Sequence, residues 1–249
     1  AAQSERPVGH VPALAVQQGA EAIAEALGQK AHLILDAITD DDLRQIGQAA
    51  QDMPLLCGGS GIAIGLPANF GYLPQDPSWS AVQGPGVVIS GSCSRATRGQ
   101  VAEYLNHAPS VQIEAQQVIE GAYQISEIAD WIVEQDVPPL VYSSADPDVV
   151  RAAQVQFGTT TAADAIEGFF AQLADALAAR EVRRMVVAGG ETSGAVVQGL
   201  GATELKIGPR AAAGVPLLRH GQMALALKSG NFGGPGFFQE TLELIQRQP

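Results

Sequence analysis

Two periods of hydrophobicity run along this chain. Apolar runs without alternation, such as Val87-Val88-Ile89, Leu140-Val141-Tyr142 and Met185-Val186-Val187-Ala188, read as strands buried on both faces. Between them lie stretches with apolar residues at helical spacing. Helices are predicted over Leu14–Leu27, Asp41–Ala50, Ala96–Leu105, Ile125–Val133 and Ala162–Arg180; in the last, Phe169, Leu173 and Leu177 recur every four positions and mark a buried stripe. Gly28 is a natural residue to end the first helix, Thr39 or Asp40 can cap the second, and Thr159 to Thr161 offer caps for the last. His32–Asp36, Leu55–Cys57 and Val111–Ile113 add shorter strands, and residues 1–9 read as loose. Strands alternating with helices imply parallel pairing. After the helix predicted from Ala195 the rhythm changes. Leu205–Ile207, Val215–Leu218 and Met223–Leu227 are too closely spaced for crossover helices and read as adjacent strands, before a closing helix at Phe237–Gln246. The predicted fold is α/β: a layered, mostly parallel sheet flanked by helices, with a more antiparallel strand cluster at the C-terminus.

Pro67, Gly71, Pro74, Pro77, Gly84 and Pro85 break every period. A linker over 71–85 therefore divides a segment 1–70 from a segment 86–249. The 249 residues suffice for one large or two modest domains. A net charge of −12 removes the phosphate attraction that dominates nucleic-acid and anionic-membrane binding, so neither partner is expected. No apolar run is long enough to span a bilayer and no export signal is visible, which makes the cytoplasm the expected compartment. Cys57 and Cys93 form no C-x-x-C pair and read as inert, buried thiols. The histidines, at 10, 32, 107 and 220, show no ligand spacing, so no protein-held metal is expected; His220, at a strand end, reads as structural.

Four glycine-rich turns follow apolar runs: Gly58–Gly61, Gly91–Ser94, Gly189–Gly194 and Gly230–Gly234. A strand, a glycine turn and a helix together present backbone N–H groups and a positive helix end to an anion. In α/β sheets, ligands bind beyond the C-terminal strand ends, so several of these turns could line one crevice. Each turn also has a plainer explanation in positive φ or close packing. Ser92 and Ser94 could hold phosphate oxygens or simply cap the next helix. Thr192 and Ser193 have the same choice. Glu191 sits awkwardly beside a triphosphate unless it faces a ribose hydroxyl or hydrated Mg²⁺; as a first-turn acid it also matches the helix dipole. Lys228 reads either as a phosphate-neutralising cation or as a solvated strand end. No Walker-type G-x-x-x-x-G-K-[ST] run and no dinucleotide G-x-G-x-x-G fingerprint is present.

The segments "SGSCS", "GGETSGAV", "LKIG", "GVPLL" and "LALKSGNFG" followed by "FF" resemble the nucleotide-binding domain of the four-carbon acid sugar kinases. That resemblance implies ATP-dependent phosphorylation of a tetronate such as threonate, erythronate or 3-oxo-tetronate, at its terminal hydroxyl. It implies ATP contacts at Ser92, with Ser94 as competitor, at Gly189, Gly190, Glu191, Thr192 and Ser193, and at Gly230, with Lys228 beside it. ATP and Mg²⁺ are the implied cofactors. The family's N-terminal half opens on an Ala-Asp-Asp-x-Thr-Gly-Ala motif that shapes the sugar-acid site, and this chain has no such sequence. The implied catalytic residue is therefore unassigned. An N-terminal substrate-binding half is the expected partner, residues 1–70 resemble the tail of that half, and a homodimer is compatible with the sequence. A non-catalytic nucleotide or phosphosugar binding module is the alternative, since glycine turns would serve it equally well.

Overall fold

The computed structural model describes residues 5–27, 32–144, 155 and 157–247. The chain forms two compact units, residues 1–75 and 76–249.

In the first unit, β1 (Val8–Val11) pairs in parallel with β2 (His32–Leu35), Val8 opposite His32. The residues before position 10 are thus not all loose; the period-two signal over four residues was too short to read. The predicted helix over 14–27 is two helices, α1 (Ala13–Val16) and α2 (Ala20–Leu27). Gly19 separates them at φ +106°, a conformation that side chains other than hydrogen rarely adopt. Gly28 lies outside the described residues. Helix α3 (Asp40–Ala49) begins at Thr39, whose hydroxyl accepts from the Asp42 amide while Asp42 accepts from the Thr39 amide, a reciprocal cap. Leu55–Cys57 forms no strand. Leu55 and Cys57 are exposed and Leu56 is only partly buried, so the run has no buried face to hold it in a sheet. The turn at Gly58 instead enters a 3-10 helix, Ser60–Gly65. Val11, Val16, Ile23 and Ile46 form the buried cluster of this unit among the described residues, and Ala50 is the one further buried apolar side chain.

The second unit carries a seven-stranded sheet. Its strands are β3 (Gly86–Ser90), β4 (Ser110–Gln112), β5 (Leu140–Tyr142), β6 (Arg184–Ala188), β7 (Lys206–Ala212), β8 (Val215–His220) and β9 (Met223–Lys228). Their spatial order is β4-β5-β3-β6-β9-β8-β7. The first five of that row are parallel, and β9-β8-β7 is an antiparallel meander. The helices are α4 (Arg95–Tyr104), α5 (Ala115–Ile119), α6 (Ile125–Val133), α7 (Thr159–Ala179), α8 (Gly190–Gly199) and α9 (Phe237–Ile245). Helix α5 was not legible in the sequence, being barely more than one turn long. Helix α7 starts earlier than the pattern predicts, with Gly158 at its N-cap and no side-chain cap, so the threonines enter the helix rather than cap it.

Strand periodicity sorts the core into two layers. Val87, Ile89, Met185, Val187 and Leu225 face Phe169, Phe170, Leu173 and Leu177 of α7. Val88, Val186, Ala188, Ala224 and Ala226 face Val101 and Tyr104 of α4 and Phe237, Phe238 and Leu242 of α9. By the same parity Lys228, two residues beyond Ala226, belongs to the α4/α9 side. No helix among the described residues is long and apolar enough to cross a membrane.

Candidate functional site

Three of the four glycine turns leave the sheet from one rung. Ser90 is opposite Ala188 and Ala188 is opposite Lys228, so β3, β6 and β9 end side by side. The turn amides continue this alignment: Gly91 and Ser92 both donate to Ala188 O, at 2.9 and 3.2 Å, and Gly189 donates to Lys228 O at 2.9 Å. The fourth turn, Gly58–Gly61, follows no strand and lies in the first unit.

Close packing between the turns accounts for several glycines. A Cβ on Gly91 would sit 2.1 Å from Thr192 Oγ1, and one on Gly189, at φ +127°, would sit 2.8 Å from the same atom. Thr192 is buried and wedged between the two turns rather than capping α8. A Cβ on Gly230 would lie 2.6 Å from Ser92 Oγ and 2.9 Å from Ser94 Oγ. Ser92 is therefore flanked by the Gly189 and Gly230 turns, with its amide 3.2 Å from the Gly189 position. Gly190 is different: nothing lies within 4 Å of its Cβ position, and it is exposed. Of Gly189, Gly190 and Gly230, the three glycines with an implied ATP contact, it is the one whose missing side chain leaves room for something outside the fold.

The two serines separate by their hydrogen bonds. Ser94 caps α4, accepting from the Thr97 amide at 3.2 Å, and its hydroxyl lies 2.5 Å from Gly230 O. Its single proton is engaged there. Ser92 Oγ accepts from the Ser94 amide at 3.3 Å, which leaves its own proton to be directed elsewhere. Of the pair, Ser92 is the available donor. Ser193 Oγ is buried and has no hydrogen-bond partner among the described residues. Glu191 is exposed in the first turn of α8.

Lys228 is neither solvated nor free to meet a phosphate. It is 1% exposed, and its ammonium donates to Thr97 Oγ1 at 2.8 Å, Ser229 O at 3.1 Å and Gly230 O at 3.2 Å. An ammonium has three donors, and all three are used. Burial pulls its pKa down to about 8. The Phe237 ring lies 6.0 Å from Nζ. Lys228 thus braces the turn that contains Gly230. Sequence reasoning found the residue but not this role, because strand parity and the packing of α4 decide it. Thr97 and Gln100, which bind the same turn from α4, were assigned no role from the sequence, although both fall in the segments "AT" and "GQV" that follow "SGSCS".

Helix α8 starts at Gly189 with no side-chain cap. Its first amides and the positive end of its dipole therefore face the open space beside Gly190. Among the described residues no group of three or more His, Cys, Asp or Glu could hold a metal. The thiols depart from expectation: Cys57 is exposed and Cys93, between the two serines, is partly exposed. Short loops with no apolar layer over them explain both. His220 Nδ1 lies 3.3 Å from Glu204 O, a structural contact.

Comparison with known proteins gives two family matches. A model described as a nucleotide-binding C-terminal domain matches residues 87–238, and one described as a sugar-binding N-terminal domain matches residues 1–66. A protein of Cupriavidus necator named 3-oxo-tetronate kinase is 45% identical over 258 residues, spanning 98% of this chain and 60% of that protein. One of the same name from Brucella melitensis is 37% identical, spanning 99% of this chain and 60% of its own length. A crystal structure from Salmonella typhimurium LT2, of a protein labelled there a candidate tRNA synthase, superposes with a TM-score of 0.73 at 37% identity. It covers 96% of this chain and 60% of that one. The chain spans about 60% of the length of the curated relatives it matches.

Proposed function

We propose that this chain, which belongs to the four-carbon acid sugar kinase family, is the nucleotide-binding part of an ATP-dependent kinase acting on a tetronate, 3-oxo-tetronate being the substrate in the names of its relatives. One observation carries the reading. Three turns rise from a single rung of a parallel sheet, and they surround an uncapped helix N-terminus with open space at Gly190. Such a place suits the phosphates of a nucleotide. Net charge of −12 also speaks against an RNA substrate.

Phosphoryl transfer asks the protein mainly to position phosphates and neutralise charge. In this reading Ser92 O–H and the first amides of α8 hold phosphate oxygens. Gly189 and Gly230 keep the turns close enough for both to reach one ligand. Glu191, the exposed carboxylate of the turn, fits a hydrated Mg²⁺ carried in by the nucleotide; that ion would offset the phosphate charge. With Lys228 fully engaged, charge compensation falls on the helix end and the metal. No residue of the site stands as a base for the acceptor hydroxyl, which agrees with an acceptor site supplied by the N-terminal substrate-binding half of the family. We place the reaction in the cytoplasm, where ATP and sugar acids meet.

Calorimetry tests this directly. Wild-type protein should bind Mg·ATP, and Gly190→Val should abolish binding while leaving the melting temperature nearly unchanged, because the new side chain meets only open space. A folded wild-type sample that takes up no Mg·ATP would refute the assignment. A binding module without turnover remains the second reading, favoured by the lack of a candidate base. It separates from the first by ATP consumption with a tetronate when the substrate-binding half is added in trans.

A further inference from the structure

The loop from Ser229 to Gly236 joins β9 to α9, and it is held by its carbonyls. One face of α4 presents Ser94, Thr97 and Gln100 at three-residue spacing. Gln100 is 1% exposed, and its Nε2 lies 3.0, 3.0 and 2.9 Å from the carbonyl oxygens of Phe232, Gly233 and Gly234. Ser94, Thr97 and Lys228 gather Gly230 O in the same way, at 2.5, 2.8 and 3.2 Å. With Ser229 O, which accepts from Lys228 at 3.1 Å, five carbonyls of one short loop thus point at α4 or at the lysine beside it.

In a trans peptide the C=O of one residue and the N–H of the next point in opposite directions. No peptide here is cis. The carbonyls of Gly230, Phe232 and Gly233 point inward, so the amides of Asn231, Gly233 and Gly234 point away from α4. Asn231 and Gly234 are exposed, and the loop begins at Gly230, in contact distance of Ser92. Pro235 has no amide, which makes Gly234 the last donor of the run.

Gln100 holds this arrangement at a cost to the fold. Its Oε1 is buried and accepts no hydrogen bond among the described residues. The reverse amide orientation would set Oε1 against three carbonyl oxygens, so the hydrogen-bond network leaves one choice. A residue needed only to fill the space between α4 and the loop would do better without the amide.

We propose that Gln100 is a positioning residue for the nucleotide: by sharing its two N–H groups among the carbonyls of Phe232, Gly233 and Gly234 it turns the Gly233 and Gly234 amides outward as a second rim for phosphate oxygens. The inference rests on the nucleotide-binding reading and extends it from Gly230 to two later amides of the same turn and to Gln100, to which the sequence assigned no role. Gln100 touches no ligand; it acts through the loop.

The test uses the full chain labelled with ¹⁵N-glycine. In wild type the Gly233 and Gly234 amide resonances should move on addition of Mg·ATP, and also with inorganic tripolyphosphate, which has no base or sugar. Gln100→Met should weaken Mg·ATP binding by about tenfold, the scale of one lost hydrogen-bond arrangement, and should abolish those two shifts while the Gly190 shift persists. Gln100→Glu, of the same shape but aiming a carboxylate at three carbonyls, should weaken it at least as far. Gly233 and Gly234 resonances that stay still in wild type while Gly190 responds to saturating Mg·ATP would overturn the proposal and leave the nucleotide reading intact. So would a Gln100→Met protein that binds like wild type. If no glycine responds and no heat is released, the underlying reading fails and this inference goes with it. Should Gln100→Met not fold, the wild-type spectra alone decide.

Discussion

Ser92 and Ser94 show how two identical side chains, two positions apart, acquire different work. Ser94 is committed to the α4 cap and to Gly230 O. Ser94→Ala should therefore lower stability by about 1–2 kcal/mol, the usual cost of a lost N-cap, read from the urea midpoint without any ligand. Ser92→Ala should leave that midpoint within experimental spread and weaken Mg·ATP binding, since its proton is the one left for a phosphate oxygen. Lys228 makes a pH-dependent prediction. Its pKa is held at about 8, against an ordinary value of 10.5. Below pH 8 both folded and unfolded chains carry the proton, and the folded state bears the burial penalty. Between pH 8 and 10.5 the unfolded chain binds more protons than the folded one, so this group makes stability rise with pH across that window. The gap in urea midpoint between Lys228→Met and wild type should shift in favour of wild type as pH goes from 7 to 10; a constant gap would show that the ammonium is not desolvated. Both serines and Lys228 were visible in the sequence. Their division of roles was not, because it depends on which atoms α4 and the Gly230 turn bring within hydrogen-bond distance.

At the level of elements, α8 is placed by its far end. Gly199 closes the helix, and a Cβ there would lie 2.0 Å from Ala171 O of α7. The two helices cross with backbone nearly in contact. Gly199→Ala must push them apart, at roughly 1–3 kcal/mol for overpacking, which amounts to a fall in Tm of roughly 2–12 °C. Because α8 carries the candidate phosphate end at Gly190, the same variant should also weaken Mg·ATP binding, although residue 199 is nine positions away. Scanning calorimetry with and without Mg·ATP measures both effects. The strand–turn–helix order around Gly189 was legible from the apolar run and the glycines. The α7–α8 contact was not, since a helix-end glycine reads equally well as a C-terminal stop. Leu55–Cys57 failed as a strand for the same kind of reason: three apolar residues make a strand only where a neighbouring edge and a buried face exist.

Across the whole molecule the two units have unequal cores. A cluster of four buried apolar residues holds the first among its described residues, whereas the second buries both faces of a seven-stranded sheet. Hydrogen exchange should accordingly be faster in β1 and β2 than in β3, β6 and β9, and Mg·ATP should add protection only in the second unit. The overall charge of −12 shapes ligand binding as well. Free ATP meets an acidic protein whose buried lysine has no donor to spare, so chelating Mg²⁺ should weaken ATP binding by more than about tenfold. Equal affinity with and without the metal would show that protein cations carry the phosphate charge.

Local order along the chain determined the elements of the second unit. Unbroken apolar runs can be satisfied only inside a two-faced sheet, and closely spaced runs after α8 leave no length for crossovers, so parallel pairing and the antiparallel meander both follow from residue pattern. Tertiary structure alone decided which glycines are small because neighbours fill their side-chain space and which leave that space open. Gly91, Gly189 and Gly230 are filled against by Thr192, Ser92 and Ser94, while Gly190 faces open space. Identical residues in similar turns cannot be told apart until the neighbours arriving from distant parts of the chain are in place, because steric exclusion is a property of pairs of atoms in space and not of positions along the backbone.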